Sequence, residues 1–97
     1  MKVCIVADIM VHDPKTYQKY IEQVPATVAK HGGRYIVRGG KVTGESDDWK
    51  PQGRLVIIEF PSQQAFEQWY TSKEYQTIDK IREQSATARS FLAEGIS

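Results

Sequence analysis

Gly32-Gly33-Arg34-Tyr35-Ile36-Val37-Arg38-Gly39-Gly40-Lys41 decides the fold, because two glycine pairs bracket a short run of β-branched and aromatic residues that reads as a strand. The first pair follows a helical pattern, where glycine can take the left-handed conformation that ends a helix. The second pair closes the strand with residues suited to a bulge or bend. Arg38 therefore stands at a strand end, beside a permissive backbone.

Upstream, Lys2 to Ile9 is rich in β-branched residues and too short for a core helix, so it reads as the first strand. Asp13 is a suitable N-cap and Pro14 suits the first helical position. Tyr17, Tyr20, Ile21, Val24 and Val28 then recur at spacings of three and four, which predicts an amphipathic helix to Lys30. Pro25 lies inside it, lacks an amide donor and predicts a kink or break near Gln23 and Val24.

Downstream, the second strand is expected to run from Arg34 towards Val42, and Thr43 to Gln52 is a polar loop with one large anchor, Trp49. Arg54 to Phe60 reads as a third strand stopped by Pro61, and Ser62 caps a second helix that buries Ala65, Phe66, Trp69 and Tyr70. Thr71-Ser72-Lys73 interrupts that helix, since Ser72 can cap a further one on which Tyr75, Ile78 and Arg82 share a face. Thr87 to Glu94 is the fourth strand. The order strand, helix, strand, strand, helix, strand predicts a single α+β domain over residues 1–97: a ferredoxin-like βαββαβ sandwich, with a four-stranded antiparallel sheet and helices on one face.

Composition narrows the function classes. The 97 residues carry 13 Lys+Arg and 12 Asp+Glu, a formal charge of +1, and no extended basic run, so the electrostatic footprint of a nucleic-acid binder is missing. The single cysteine, Cys4, sits in an apolar run and reads as a reduced, buried thiol, which points to a cytoplasmic setting. No stretch approaches the roughly 20 apolar residues that span a bilayer, and the N-terminal apolar run is too short for a signal peptide. No glycine pattern for nucleotide phosphates, no paired cysteines and no HxxxH or HxH spacing is present, so neither a cofactor nor a metal is expected.

Both sides of the strands are apolar. The third strand offers Leu55 and Ile57 to one face and Val56, Ile58 and Phe60 to the other; the first offers Val3, Ile5 and Ile9 against Cys4 and Val6. With helices on one face only, the second face needs cover, and a second copy packed sheet to sheet is the economical answer.

Tyr35 to Gly40, Trp49-Lys50-Pro51, Glu59-Phe60-Pro61-Ser62 and Trp69 to Tyr75, with Asp13-Pro14 and His31-Gly32-Gly33, together resemble the family known as domain of unknown function 1330 across nearly the whole chain. The resemblance implies a dimeric α+β barrel, in which two ferredoxin-like subunits pack their sheets together. It implies no established activity, since relatives on this fold include cofactor-independent monooxygenases, small isomerases, haem proteins of the chlorite dismutase kind and stress-responsive proteins. It marks Arg38, Gly40, Trp49, Glu59, Trp69 and Tyr75 as positions that line or shape a pocket.

Arg38 is the leading candidate for chemistry, because a guanidinium fork at a strand end can hold a carboxylate or enolate. Its structural alternative is an ion pair with Glu59, which otherwise would serve as a general base. His12 and His31 flank one helix and read as terminal residues, with His31 complementing the helix dipole. The tyrosines and tryptophans read first as core. The expected arrangement is a homodimer with an aromatic pocket between sheet and helices, anchored by Arg38, lined by Glu59, Trp69 and Tyr75 and closed by the Trp49 loop. It would take a small acidic or carbonyl-containing molecule. A cofactor-independent isomerase or monooxygenase, and an interaction protein whose cavity is filled by its own side chains, are the alternatives.

Overall fold

A computed structural model describes residues 1–96. Its elements are β1 (Val3–Val11), α1 (Pro14–Lys30), β2 (Arg34–Arg38), β3 (Arg54–Phe60), α2 (Gln63–Thr71), α3 (Lys73–Ser85) and β4 (Ala86–Glu94). The strands form one antiparallel sheet in the order β2-β3-β1-β4, with β3 and β4 flanking β1. This is the ferredoxin-like α+β arrangement, with the second helix divided in two.

Local chemistry places the helix ends. Asp13 accepts a hydrogen bond from the Thr16 amide at 3.2 Å, and Ser62 Oγ accepts one from the Ala65 amide at 3.1 Å. Ser72 works twice: its amide donates to Trp69 O at the end of α2, and its Oγ accepts from the Tyr75 amide at 3.2 Å to start α3. Gly32, at φ +76°, ends α1, and Gly33 follows where an added Cβ would lie 2.7 Å from the Phe60 ring and 2.8 Å from Val28. The first glycine pair thus serves a turn and a close approach.

Two boundaries differ from expectation by two residues or more, and one expected break does not occur. β1 continues to Val11 because its ladder with β4 extends to the pair Val11–Ala86. β2 stops at Arg38 rather than Val42, since Gly39 at φ +71° turns the chain away from its only neighbour, β3. No break occurs at Pro25: α1 is continuous from Pro14 to Lys30. Val24 and Val28, on either side of the proline, are both buried in the core, so tertiary packing holds the helix where local propensity would interrupt it.

The core lies between sheet and helices. β1 contributes Val3 and Ile9, β3 contributes Val56, Ile58 and Phe60, and the helices add Tyr17, Tyr20, Val24, Val28, Trp69 and Tyr75. Trp69 is the hub: its ring centroid is 4.0 Å from that of Tyr75 and 5.2 Å from that of Phe60, and its indole N–H donates to Thr27 Oγ1 at 3.0 Å. Alternation along the strands then turns Cys4, Val6, Leu55 and Ile57 to the far side of the sheet. The molecule measures 36 × 35 × 17 Å, a two-layer slab with that side bare of helices. No helix among the described residues is long and apolar enough to cross a membrane.

Candidate functional site

One irregularity in β2 sets the geometry. Tyr35 pairs with Ile58, but the next partners are Val37 with Ile57 and Arg38 with Val56, so a bulge at Ile36 inserts one residue into the ladder. In an unbulged strand Arg38 would share its face with Leu55 and Ile57, away from the helices. The bulge reverses that. Arg38 instead shares the face of Val56, and its guanidinium carbon lies 4.7 Å from the centroid of the Tyr35 ring.

Arg38 stands beside a small cavity between α1 and the β2–β3 edge, of about 30 Å³, whose polar lining is Tyr17, Tyr20, Tyr35, Arg38 and Arg54. Ile9, Ile21, Val24, Val56 and Ile58 make its apolar walls. Arg54 is the second cation, at the start of β3. An added Cβ on Gly39 would lie 2.2 Å from its Nη1, so the glycine makes room for the guanidinium. Arg54 Nε is buried and has no hydrogen-bond partner, the one such side-chain atom among the described residues. A buried unpaired donor costs about 1–3 kcal/mol and calls for an acceptor.

The electrostatics favour an anion. Among the described residues no carboxylate pairs with Arg38 or Arg54. Burial pushes the Tyr17 phenol up, with Arg54 and Arg82 opposing it; burial likewise pushes Tyr35 up, against Arg38. The phenols are therefore neutral at neutral pH. The volume takes about two waters, and exposed Arg38 lies at its mouth.

Behind the cavity runs a buried hydrogen-bond chain. Tyr20 and Tyr75 hydroxyls meet at 3.0 Å, Tyr75 donates to Asp79 Oδ1 at 2.9 Å, and Arg82 donates to both oxygens of Asp79. Asp79 is 4% exposed, and the paired Arg82 supplies the charge that such burial requires. Desolvation raises the pKa of both Tyr20 and Tyr75 well above the ordinary phenol range.

The five residues singled out from sequence are not brought together. Arg38 alone reaches the cavity. Its expected pairing with Glu59 does not form: Glu59 lies on the bare face, where Arg34 Nε donates to it at 2.9 Å and Lys2 lies 3.9 Å away. Register explains this, because Arg34 stands directly opposite Glu59 while Arg38 lies beyond the bulge. Trp69 and Tyr75 belong to the core, 3% and 4% exposed, with their polar atoms engaged by Thr27, Tyr20 and Asp79.

Trp49 does not anchor its loop or close the helix-side cavity: it is 89% exposed, and its loop lies over the opposite face of the sheet. There it borders an open cleft of about 650 Å³ with Val6, Leu55, Phe91 and the Asp8–Arg89 pair. Asp8 fixes that loop by accepting from the amides of Gln52 and Gly53 at 2.9 and 2.8 Å. The sequence points to no site role for Arg54 or Tyr35, and it reads Tyr17 and Tyr20 first as core, with hydroxyls able to point into a cavity between sheet and helices. The signal for Arg54 was its alternation with Val56, Ile58 and Phe60 on one strand face.

The family model described as "Domain of unknown function (DUF1330)" matches residues 2–96. No curated protein matches the chain. Among solved structures, the RPA0582 protein of unknown function from Rhodopseudomonas palustris is similar at a TM-score of 0.78 and 16% identity, over 99% of this chain and 83% of that one. SnoaB, a cofactor-independent oxygenase from Streptomyces nogalater, is similar at 0.67 and 14%, over 99% of this chain and 94% of that one. A dimeric ferredoxin-like protein of unknown function from Jannaschia sp. CCS1 is similar at 0.67 and 9%, over 98% of this chain and all of that one, 100%. At such identities the likeness is one of fold.

Proposed function

Because the chain belongs to the family described as Domain of unknown function (DUF1330), membership brings no activity with it, and we propose from its own geometry that it binds the anionic or carbonyl head of a small organic molecule between α1 and the β2–β3 edge. Arg38 and Arg54 are the anchors, with Tyr17, Tyr20 and Tyr35 around them. The observation that carries this reading is the buried Nε of Arg54, unpaired, beside a second guanidinium without a carboxylate partner. A guanidinium fork is suited to a carboxylate or enolate oxygen, and low surrounding polarity strengthens the contact.

The working unit in this proposal is a homodimer packed sheet to sheet. Phe91, 63% exposed, and Trp49 stand over the bare face, and a slab 17 Å thick leaves that face without a second layer. The Jannaschia protein of this fold is described as dimeric, which supports the same assembly. A cytoplasmic setting fits the free thiol of Cys4.

Turnover is the second reading. SnoaB, of the same fold, is a cofactor-independent oxygenase, and two guanidiniums without carboxylate partners beside neutral phenols are what holding an enolate would require. The test of both is ligand-induced stabilisation with acetate and larger carboxylic acids, since a ligand of the folded state raises Tm by mass action. Loss of the shift in Arg38→Ala and Arg54→Ala supports the site. A shift unchanged in both variants overturns it.

A further inference from the structure

The hydrogen-bond chain behind the cavity determines what one of its walls can offer. The Tyr75 hydroxyl has one hydrogen and donates it to Asp79 Oδ1 at 2.9 Å. Asp79 also accepts from the Nε and Nη2 of Arg82, so the carboxylate is held as an acceptor. The 3.0 Å contact between Tyr20 and Tyr75 must then use the hydrogen of Tyr20, with the Tyr75 oxygen accepting. Tyr20 lines the cavity, and its only hydrogen is committed away from it.

We propose that Tyr20 presents the cavity with an acceptor only, and that the ligand is a hydroxy acid: a carboxylate for Arg38 and Arg54, and a neighbouring hydroxyl that donates to the Tyr20 oxygen. This rests on the anion-binding reading above and deepens it. A plain carboxylic acid satisfies the guanidiniums and leaves the Tyr20 lone pairs without a donor. The hydroxyl of a 2-hydroxy acid is the smallest addition that supplies one; with about 30 Å³ of cavity, only the oxygens that meet Arg54 and Tyr20 are enclosed and the rest of the ligand lies at the mouth beside Arg38. Asp79 and Arg82 are positioning residues in this scheme, since they act through Tyr75 on the direction of the Tyr20 hydrogen.

The test compares binding of acetate and glycolate, by calorimetry or by displacement, on the full chain. In the unaltered protein glycolate binds more tightly than acetate by roughly fivefold to tenfold, the value of one hydrogen bond. Tyr20→Phe removes the preference and keeps acetate binding. Tyr75→Phe releases the Tyr20 hydrogen towards the cavity and lowers the preference for glycolate or reverses it in favour of acetate, a change of sign that a merely structural role would not produce. Equal binding of the two acids to the unaltered protein, with both lost in Arg38→Ala and Arg54→Ala, overturns this inference and leaves the anion site standing. A glycolate preference that persists in Tyr20→Phe also overturns it. Binding of neither acid overturns both.

Discussion

Arg34 Nε donates to Glu59 Oε1 at 2.9 Å from the position directly across the β2–β3 ladder. This pair on the bare face occupies the carboxylate nearest in sequence pattern to Arg38, and the bulge at Ile36 then carries Arg38 to the other side of the sheet. One register irregularity thus separates an ion pair from an unpaired guanidinium four residues away.

Glu59→Gln is therefore expected to leave acid binding unchanged. The pair with Arg34 is solvent-accessible in the single subunit, so its loss should lower Tm by at most about 4–8 °C. Titration calorimetry with acetate checks the first expectation. A tenfold loss of affinity in this variant would return Glu59 to the site.

Gly39→Ala is expected to weaken acid binding and lower stability together. The backbone there has φ +71°, a conformation costing a non-glycine residue roughly 1–2 kcal/mol, and the new methyl would lie 2.2 Å from Arg54 Nη1. Gly40, where an added Cβ meets nothing within 4 Å, is the control. Equal acid affinity in the two variants would show that Arg54 does not hold the ligand.

Thr27→Val keeps the shape of the buried side chain and removes the acceptor of the Trp69 indole N–H, 3.0 Å away. The expected cost is about 1–3 kcal/mol, that of an unsatisfied buried donor. Denaturant unfolding with tryptophan fluorescence measures it. A cost below a few tenths of a kcal/mol would mean that the indole finds another partner.

Leu55→Asp and Phe91→Asp place a charge on the bare face and should yield a folded monomer by sedimentation and circular dichroism. Val56→Asp, one residue away, faces the helices and is buried, so it should unfold the chain instead. If the unaltered protein sediments as a monomer at micromolar concentration, the sheet-to-sheet dimer is wrong.

The acid limb of stability should depend on Asp8. The Gln52 and Gly53 amides and Arg89 hold its carboxyl below the ordinary value of 3.8, the Gln52 amide contributing most and burial opposing. Folded pKa is thus below unfolded pKa. The unfolded chain binds more protons in that window, so the contribution is fully present above about pH 3.8 and is lost as pH falls through the lowered folded value. Thermal melts of Asp8→Asn should lack this part of the acid limb, whereas an identical pH profile would remove Asp8 from the account.

Much of the fold is legible in the chain because it follows from periodicity and local capping. Asp13, Ser62 and Ser72 mark their helix starts by side-chain chemistry alone, and the alternation along β1 and β3 announces two apolar faces. The candidate site is less legible. Arg38 is recognisable as a strand-end cation, whereas Arg54 looks like a flank, and Trp49 looks like an anchor because aromatic residues in polar loops so often are.

What the sequence by itself determined is the order of elements, the ends of the helices and the presence of a second apolar sheet face, since each depends on residues close together in the chain. Only the tertiary structure decided which way Arg38 points, which arginine holds Glu59 and whether Pro25 interrupts α1. The physical reason is common to all three. A bulge without a glycine, a cross-strand register and a helix held by buried valines on both sides of a proline are set by partners far along the chain, whose positions exist only once the sheet and its helices have packed.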